Sequence, residues 1–372
     1  MPNILDVFSG DAFSVKELTD SINLFPNSYG LINSLNVFSH KGVATTSVGV
    51  EINKGVLNLI QSKPRGSQAN KNIRGKREMR FFEIPHFPLD DTIRPSDIQN
   101  VRAFGSPDQA KTPETEVADR LGEMSKKHDI TLEYLNAGAI AGQILDADGS
   151  VILDIFDEFG VTENKVNFDL TNAGAELSEK AQEVWGTIED NLAGDTLNGV
   201  VALCSPEFFK SLVVHKSVKE SFKEYRDTTV RLANILSQIG TAGGPGLPGS
   251  VEQATDPLRS DVRKGFFWQD IWWLEYRGKA TFLQEDGDTA TRNFISSNTC
   301  RFLPLGTQDT FRSYSAPADW METVNTVGLP KYAKVVPDQG GRWVELLSES
   351  NPLPLCLRPK VLVKGARTAG DM

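Results

Sequence analysis

The longest regular pattern of apolar positions predicts a long amphipathic helix that begins near Thr112 and runs to about Ile144. Seven positions in it recur at steps of four or three, the spacing that puts side chains on one face of an α-helix. The start is well marked, because threonine caps helices, proline suits the first helical position and acidic residues favour the N-terminal end. The stripe comprises Val117, Leu121, Met124, His128, Leu132, Leu135 and Ala139.

Shorter patterns predict further helices and strands. They indicate helices at residues 13–24 and 176–192, and another helix after the cap formed by Ser205. Residues 200–204 form an apolar run typical of a short buried strand. The dipeptide Asp148–Gly149 lies between two apolar segments and predicts a hairpin turn.

Aromatic residues are concentrated between residues 266 and 278, in the letters F-F-W-Q-D-I-W-W-L-E-Y-R-G. The run is interpreted as one strand whose side chains alternate between two faces. Aromatic residues at this density usually form a core or a subunit contact. Stacking on nucleic-acid bases would need interleaved basic residues, and only Arg277 lies within the run. One face would carry Trp268, Asp270, Trp272, Leu274 and Tyr276, and the other Phe267, Gln269, Ile271, Trp273 and Glu275.

Basic residues are clustered in the segment 62–105, which predicts a long two-stranded projection with a basic first limb. Pro85, Pro88 and Pro95 argue there against helix and against a central strand. Two interpretations stay open from the residues alone: a solvated surface loop, or an arm that lies on a neighbouring subunit. The basic residues are Lys63, Arg65, Lys71, Arg74, Lys76, Arg77 and Arg80, opposed only by Glu78.

Residues 129–164 contain no lysine or arginine and form an acidic counterpart to the basic segment. Asp146, Asp148 and Asp154 could suggest a calcium site. The glycine of the turn comes too early for a calcium loop, however, and the closing bidentate glutamate is absent. A solvated turn is therefore the expected structure of this segment.

Composition and charge argue against several classes of protein. The 372 residues carry a formal net charge of −10, which argues against a protein whose whole surface grips nucleic acid. The three cysteines are far apart and form no C-x-x-C, so a disulfide framework or structural zinc is not expected. We also expect no signal peptide and no membrane contact, since no stretch approaches the roughly 20 apolar residues of a bilayer span.

Catalytic motifs are missing from the sequence. The four histidines are isolated from one another, and no metalloprotease, nucleophile-elbow or Walker motif occurs. The Gly/Pro-rich segment 240–250 follows a helix-like segment at 231–239, and its prolines remove the donors that a phosphate cradle needs. We expect no enzyme activity and no cofactor. A cytosolic hydrolase that uses scattered carboxylates, or a monomeric binding module that uses the aromatic strand, stays open as an alternative.

The order of short phrases in the last third of the chain carries a family resemblance. From Phe294 the chain reads F-I-S-S-N-T-C-R-F-L-P-L-G, then Y-S-A-P-A-D-W-M-E-T-V-N-T-V-G, and it finishes with W-V-E-L-L-S-E-S-N-P-L-P-L-C-L-R-P-K-V-L-V. Together with the E-Y-R-G at 275–278, this succession resembles the major capsid proteins of lambda-like tailed bacteriophages, the phage capsid E family.

The resemblance implies an α+β tailed-phage major capsid fold with a long spine helix, a peripheral domain and an axial domain. It implies self-assembly through pentamers and hexamers into an icosahedral head shell around packaged DNA, which is not bound sequence-specifically. The implied partners are further copies of the chain, a scaffold, a portal and, as an additional component, a decoration protein. The expected location is the virion capsid, assembled in the bacterial host cytoplasm. The implied divisions are an N-terminal arm at 1–61, an extended loop at 62–110, the peripheral domain with the spine helix at 111–197, the axial domain at 198–305 and a return to the peripheral domain at 306–372.

The same resemblance favours the extended loop as an arm on a neighbouring subunit. A closed shell needs contacts between different patches on adjacent copies, and a basic and an acidic patch are complementary. The residues predicted to contact another subunit are Arg74, Lys76 and Arg77 on the basic side and Asp146, Asp148 and Asp154 on the acidic side.

Overall fold

The structure is a computed structural model that describes residues 13–25, 30–54, 76–99, 112–192, 195–226, 265–283 and 289–372. The α-helices in these residues are α1 (Val15–Leu24), α2 (Leu31–Leu35), α3 (Pro95–Ile98), α4 (Pro113–Ala141), α5 (Ile155–Phe159), α6 (Leu177–Asn191), α7 (Pro206–Val214) and α8 (Lys216–Arg226). Two short 3₁₀-helices, Pro359–Val361 and Ala369–Asp371, lie near the C-terminus.

The strands of the described residues form six small sheets. They are β1 (Ser39–Gly42), β2 (Ser47–Lys54), β3 (Lys76–Glu83), β4 (Phe87–Ile93), β5 (Gln143–Leu145), β6 (Val151–Asp154), β7 (Asn164–Asn167), β8 (Gly199–Cys204), β9 (Gly265–Trp268), β10 (Ile271–Glu275), β11 (Lys279–Leu283), β12 (Thr289–Asn293), β13 (Thr299–Leu305), β14 (Phe311–Ser315), β15 (Tyr332–Pro337), β16 (Val344–Ser350), β17 (Pro352–Cys356) and β18 (Val363–Ala366).

The predicted long helix is confirmed as α4, which runs for 29 residues. The Thr112 hydroxyl accepts a hydrogen bond from the Thr115 amide at 3.3 Å, as an N-cap should. The helix ends earlier than predicted, at Gly142, whose φ of 85° is a left-handed conformation that glycine adopts easily. Six of the seven stripe residues are buried, and Leu132 is only partly covered. Periodicity sets the face on which a side chain lies, whereas the packing of other elements decides how far that face is covered.

The main core surrounds a six-stranded mixed sheet with the order β7-β18-β13-β8-β10-β9. Trp273 at its centre is fully buried, and its ring centre lies 5.5 Å from that of Phe302 and 5.7 Å from that of Phe168. Helix α7 adds Phe208, and its first turn is capped by the Ser205 hydroxyl as predicted. The predicted buried strand at 200–204 is β8, in the middle of this sheet.

The aromatic run is two strands and not the single strand predicted from alternation. A two-residue turn at Gln269 and Asp270, with φ values of 51° and 58°, folds β9 back on β10. The turn reverses the alternation, so that Trp268 and Trp273 are buried on the same side while Trp272 is partly exposed. The prediction failed because Gln-Asp lacks the glycine that usually marks a turn of this kind.

A second core lies between the N-terminal helix α1, the spine helix α4 and the sheet β15-β16-β4. The predicted helix at 13–24 is confirmed as α1, which buries Leu18 and Ile22 in this core. Pro88 lies in β4, an edge strand, where its missing N–H is tolerated. The expectation that proline excludes helix is wrong at Pro95, because it occupies the first turn of α3, where the amide needs no partner.

The C-terminal strands are built into two sheets. Strand β17 pairs with β14, and β18 lies between β7 and β13 inside the six-stranded sheet. Leu355, Val361 and Val363 are buried there, and Leu357 is partly buried. The end of the chain is therefore part of both the main core and its sheet.

Two antiparallel ribbons are formed by β2 with β3 and by β5 with β6. Strands β2 and β3 pair over eight residues each, so the two-stranded projection begins at Ser47, ahead of the predicted loop start at residue 62. Strands β5 and β6 form the hairpin predicted at Asp148–Gly149, and Gly149 has a φ of 96°. The Gly/Pro-rich segment 240–250 and the helix-like segment 231–239 lie outside the described residues.

Candidate functional site

The spine helix buries a row of polar side chains that join it to the rest of the chain. A row of this kind is costly unless every group has a partner, because buried polar groups lose their hydration. Its members bond to α2, to Lys331 and to Ser348 of β16, and through Arg120 to β4, so the row fixes where those elements lie. Its members are Glu116, Ser125, His128, Asp129, Glu133 and Asn136.

Glu133 is the most heavily bonded residue of this row. Its carboxylate accepts hydrogen bonds from the Ile32 amide at 2.9 Å, the Asn33 amide at 2.8 Å and the Tyr276 hydroxyl at 2.8 Å. The amides belong to the first turn of α2, where a negative charge is favoured. Gly30 precedes them with a φ of 94°, and a Cβ there would come within 2.2 Å of the Glu133 carboxyl carbon. One carboxylate thus joins the N-terminal segment, the spine and the E-Y-R-G segment.

Asp129 and Lys331 form a buried ion pair one turn earlier on the spine. The Lys331 ammonium lies 2.6 Å from the Asp129 carboxylate and donates to the Ser125 hydroxyl at 2.7 Å. Neighbouring His128 is also buried, and its Nε2 lies 2.9 Å from the Ser348 hydroxyl. Burial, reinforced by the Lys331 charge, lowers the pKa of His128 to about 4. His128 is therefore neutral and hydrogen-bonded at neutral pH, which is a structural role on the predicted stripe.

Arg120 makes the corresponding connection near the start of the spine. Its guanidinium donates to Glu116 at 2.8 Å and to Asp91 of β4 at 2.9 Å. The hydrogen bond to Glu116 is the largest cause of a raised Arg120 pKa. Sequence reasoning noted the apolar stripe and missed these charged neighbours. The available signal was the presence of Asp129 and Glu133 next to stripe residues on a helix that had to be buried.

The cysteines of the described residues are poorly placed for catalysis. Cys204, Cys300 and Cys356 are all buried. Burial raises the pKa of Cys204 well above its ordinary value and that of Cys356 to about 12, so neither forms a thiolate at neutral pH. In the described part of the chain, no three His, Cys, Asp or Glu residues are grouped to hold a metal ion. None of the helices within these ranges is long and apolar enough to cross a membrane.

The ribbon of β2 and β3 has one covered and one open apolar face. Val48, Val50 and Phe82 are buried against the body. On the opposite face Met79 is 60% and Phe81 71% exposed. Large apolar side chains on an extended ribbon are a usual sign of a contact with another molecule.

The predicted basic contact residues lie at the far end of this ribbon. The backbone of Lys76 and Arg77 belongs to β3, opposite Lys54 and Asn53 of β2. Arg74 lies outside the described residues. These two basic positions are therefore continuous with the ribbon that carries Met79 and Phe81.

The predicted acidic residues lie together in the β5–β6 hairpin, and each has a local role. Asp154 caps α5, since its carboxylate accepts from the Asp157 amide at 3.1 Å and from the Gln143 amide group at 3.1 Å. Asp148 accepts from the Ser150 amide at 2.7 Å, which is the main reason that its pKa is lowered. Asp146 accepts from the amide of Ala147 in the turn.

One basic residue of the ribbon contacts the acidic segment of the same chain. The Arg80 guanidinium lies 3.9 Å from the Glu158 carboxylate and 5.8 Å from the ring centre of Phe159. The attraction between the basic and acidic segments is thus partly satisfied within one copy, and it holds the base of the ribbon near the hairpin.

The fold is similar to that of a solved prophage protein. A solved structure described as the capsid protein of a prophage of E. coli CFT073 aligns with 98% of this chain and 98% of its own, with a TM-score of 0.57 and 15% sequence identity. The similarity confirms the α+β tailed-phage capsid fold.

Two curated relatives and a family model give the particular family. The major capsid protein of Pseudomonas phage KPP10 is 29% identical over 95% of this chain and 96% of its own. That of Salmonella phage Felix O1 is 24% identical over 94% and 95%. The model of the family "Phage major capsid protein E" matches residues 14–367, so the chain belongs to this family. The protein is thus a phage major capsid protein, and copies of it form the shell of the virion. A place among lambda-like phages stays a prediction.

Proposed function

We propose that the shell of this protein forms in the cytoplasm of the bacterial host, with the help of a scaffold and a portal, and encloses packaged DNA without reading its sequence. A decoration protein is a further proposed partner. The net charge of −10 supports an inner wall that does not adhere to DNA. The protein works without catalysis, in keeping with its structural family and with the burial of its three cysteines.

The ribbon of β2 and β3 is the proposed arm on a neighbouring subunit. The observation that carries this proposal is the exposure of Met79 and Phe81 on the face turned away from the body. Arg74, Lys76 and Arg77 are the proposed basic contact residues of this arm, and Asp146, Asp148 and Asp154 are the proposed acidic partners. Exposed ion pairs contribute only about 0–1 kcal/mol each, but a shell repeats the contact many times.

We keep as a proposal the domain division that the family resemblance implies, with an axial domain at 198–305. Four strands of the six-stranded sheet, β8, β9, β10 and β13, fall within this range, whereas β7 and β18 come from outside it. The two proposed domains would therefore share one sheet, which favours a rigid connection between them.

A charge-reversal variant tests the arm. Arg74→Glu/Lys76→Glu/Arg77→Glu should leave the circular dichroism spectrum unchanged and strongly reduce light scattering during assembly. The matched control is Lys16→Glu/Lys126→Glu/Lys127→Glu, which makes the same charge change at three exposed lysines of α1 and α4. Normal shells from the first variant, or equal loss in both, would remove the basic arm from assembly. Assembly that does not respond to salt would remove the electrostatic part of the proposal.

A further inference from the structure

A second exposed apolar surface lies in the 317–330 loop, which connects β14 to β15. Four of the eleven large apolar side chains that are exposed in the described residues fall within nine positions of this loop. Their exposed fractions range from 40% to 89%. They are Met321, Val324, Val327 and Leu329. Such a local concentration is unusual on a protein surface that remains in water.

Hydrogen bonds fix the backbone of this loop. The Thr323 hydroxyl donates to the Ala318 carbonyl at 2.6 Å, and the Thr326 hydroxyl donates to the Thr323 carbonyl at 2.7 Å. Near the end of the loop, the Leu329 amide donates to the Tyr332 hydroxyl at 2.9 Å. The apolar side chains are therefore held in place before any partner arrives, which lowers the entropy cost of binding.

The loop is also tied to the body at both sides. The Asp319 amide donates to the Glu349 carboxylate at 2.9 Å, and the Gly328 amide donates to the Val43 carbonyl at 2.9 Å. A Cβ at Gly328 would lie 2.0 Å from the Ser315 carbonyl oxygen, so this contact requires glycine. Directly after the loop, Lys331 forms its buried ion pair with Asp129 of the spine. The end of the loop is thus connected to the spine helix.

Charge around the loop favours another copy of the chain as its partner. Each copy carries a net charge of −10, so copies repel one another except where charge is absent or neutralised. Between residues 320 and 330 the only charged residue is Glu322. Lys334 pairs with Glu322, and its ammonium also lies 5.9 Å from the Trp320 ring centre. The core of an interface between proteins typically contains apolar residues and few charged ones.

We propose that the 317–330 loop is a contact surface between copies of this chain, in which Met321, Val324, Val327 and Leu329 bury their side chains against a neighbouring subunit. This contact is separate from the ribbon of β2 and β3 and does not depend on its charges. It adds an uncharged surface that persists at high salt, where the ribbon contact weakens.

Photo-crosslinking identifies the partner. Met321→Cys offers one exposed thiol, since the native cysteines in the described residues are buried, and it can be labelled with a benzophenone maleimide. In purified particles, mass spectrometry should find cross-links from residue 321 to another copy, and none in the unassembled protein. Cross-links to a different protein, or only within one copy, or none in intact particles, would overturn the proposal. If the label itself blocks assembly while the same label on Met372→Cys does not, the surface is needed for assembly, as proposed.

A paired substitution tests the energetic role. Met321→Glu/Val324→Glu should keep the dichroism spectrum and melting temperature, because both side chains are exposed, and should lower the yield of particles at least tenfold. The control Leu24→Glu/Met372→Glu changes two other exposed apolar residues, 82% and 48% exposed. Unchanged assembly of the loop variant would refute the proposal. Since the ribbon is intact in it, failure of one surface can be told from failure of the other.

Discussion

At the scale of single residues, the spine helix depends on buried polar side chains that bond to distant parts of the chain. Glu133 alone accepts three hydrogen bonds, and Asp129 faces the buried ammonium of Lys331. Such groups contribute little net stability when satisfied, but removing one partner is costly. Their main effect is to fix the position of elements that apolar packing would leave free to slide.

His128 makes stability depend on pH. Its pKa is about 4 in the folded protein, compared with 6.5 for a free histidine, so the unfolded chain binds more protons between these values. The contribution of neutral His128 is therefore complete above pH 6.5 and is lost as the pH falls towards 4, by about 3 kcal/mol in total. Chemical denaturation from pH 4 to 7 should show this slope.

The control for this prediction is His128→Gln, which can still bond to Ser348 and does not titrate. The difference in unfolding free energy between the two proteins removes the contributions of other groups, including Asp129, whose pKa burial raises. Parallel stability curves for the two proteins would show that His128 does not titrate as described.

At the scale of elements, the spine helix and the aromatic hairpin differ in whether the buried face follows the sequence pattern. The spine keeps its predicted face because caps and apolar spacing act together over many turns. The aromatic run changes face at one turn, because a two-residue connection shifts the alternation of every residue after it.

Two leucines of the spine should differ in their response to charge. Leu135→Asp would put a carboxylate in the main core, where the side chain is 1% exposed, and should cost at least about 3 kcal/mol or prevent folding. Leu132→Asp, at the partly covered position, should cost less and give soluble protein. Thermal melting of both variants measures the difference, and equal losses would contradict the burial found here.

The turn between β9 and β10 holds two non-glycine residues at positive φ. Asp270→Gly removes the steric cost at a φ of 58° and should raise stability by up to about 1 kcal/mol. Asp270→Val should lower stability, because a β-branched residue tolerates this conformation poorly. Denaturant titration of the two variants provides the measurement; a glycine variant less stable than the valine variant would exclude this turn.

At the scale of the whole molecule, the chain returns to its core at the C-terminus. Strand β18 lies inside the six-stranded sheet, and β17 contributes Leu353 and Leu355 to the main core. The proposed assembly surfaces, namely the open face of the ribbon and the exposed side chains of the 317–330 loop, lie outside these cores. Folding and assembly can thus be separated by mutation.

Deletion from Asn351 onward should prevent folding of the whole chain. The deletion removes β17 and β18, which leaves β7 without its partner strand and opens the main core. We expect insoluble protein, or protein without a cooperative unfolding transition. Removing only Met372, whose side chain is 48% exposed, should leave the melting curve unchanged. A cooperative transition in the longer deletion would show that the core closes without these strands.

The sequence by itself determined the long helix, its cap, the hairpin at Asp148–Gly149, the buried strand β8 and membership of a capsid family. Caps, turns and periodicity act over a few residues, so one chain displays them directly.

Only the tertiary structure decided which distant groups meet. Glu133 bonds to an amide 101 residues away, and His128 to a hydroxyl 220 residues away. No local rule specifies such pairs, because any of many carboxylates could fill the role until packing brings one to the right place. The exposure of the 317–330 loop was likewise decided by the tertiary structure, because an apolar residue in a sequence does not show whether the fold buries it.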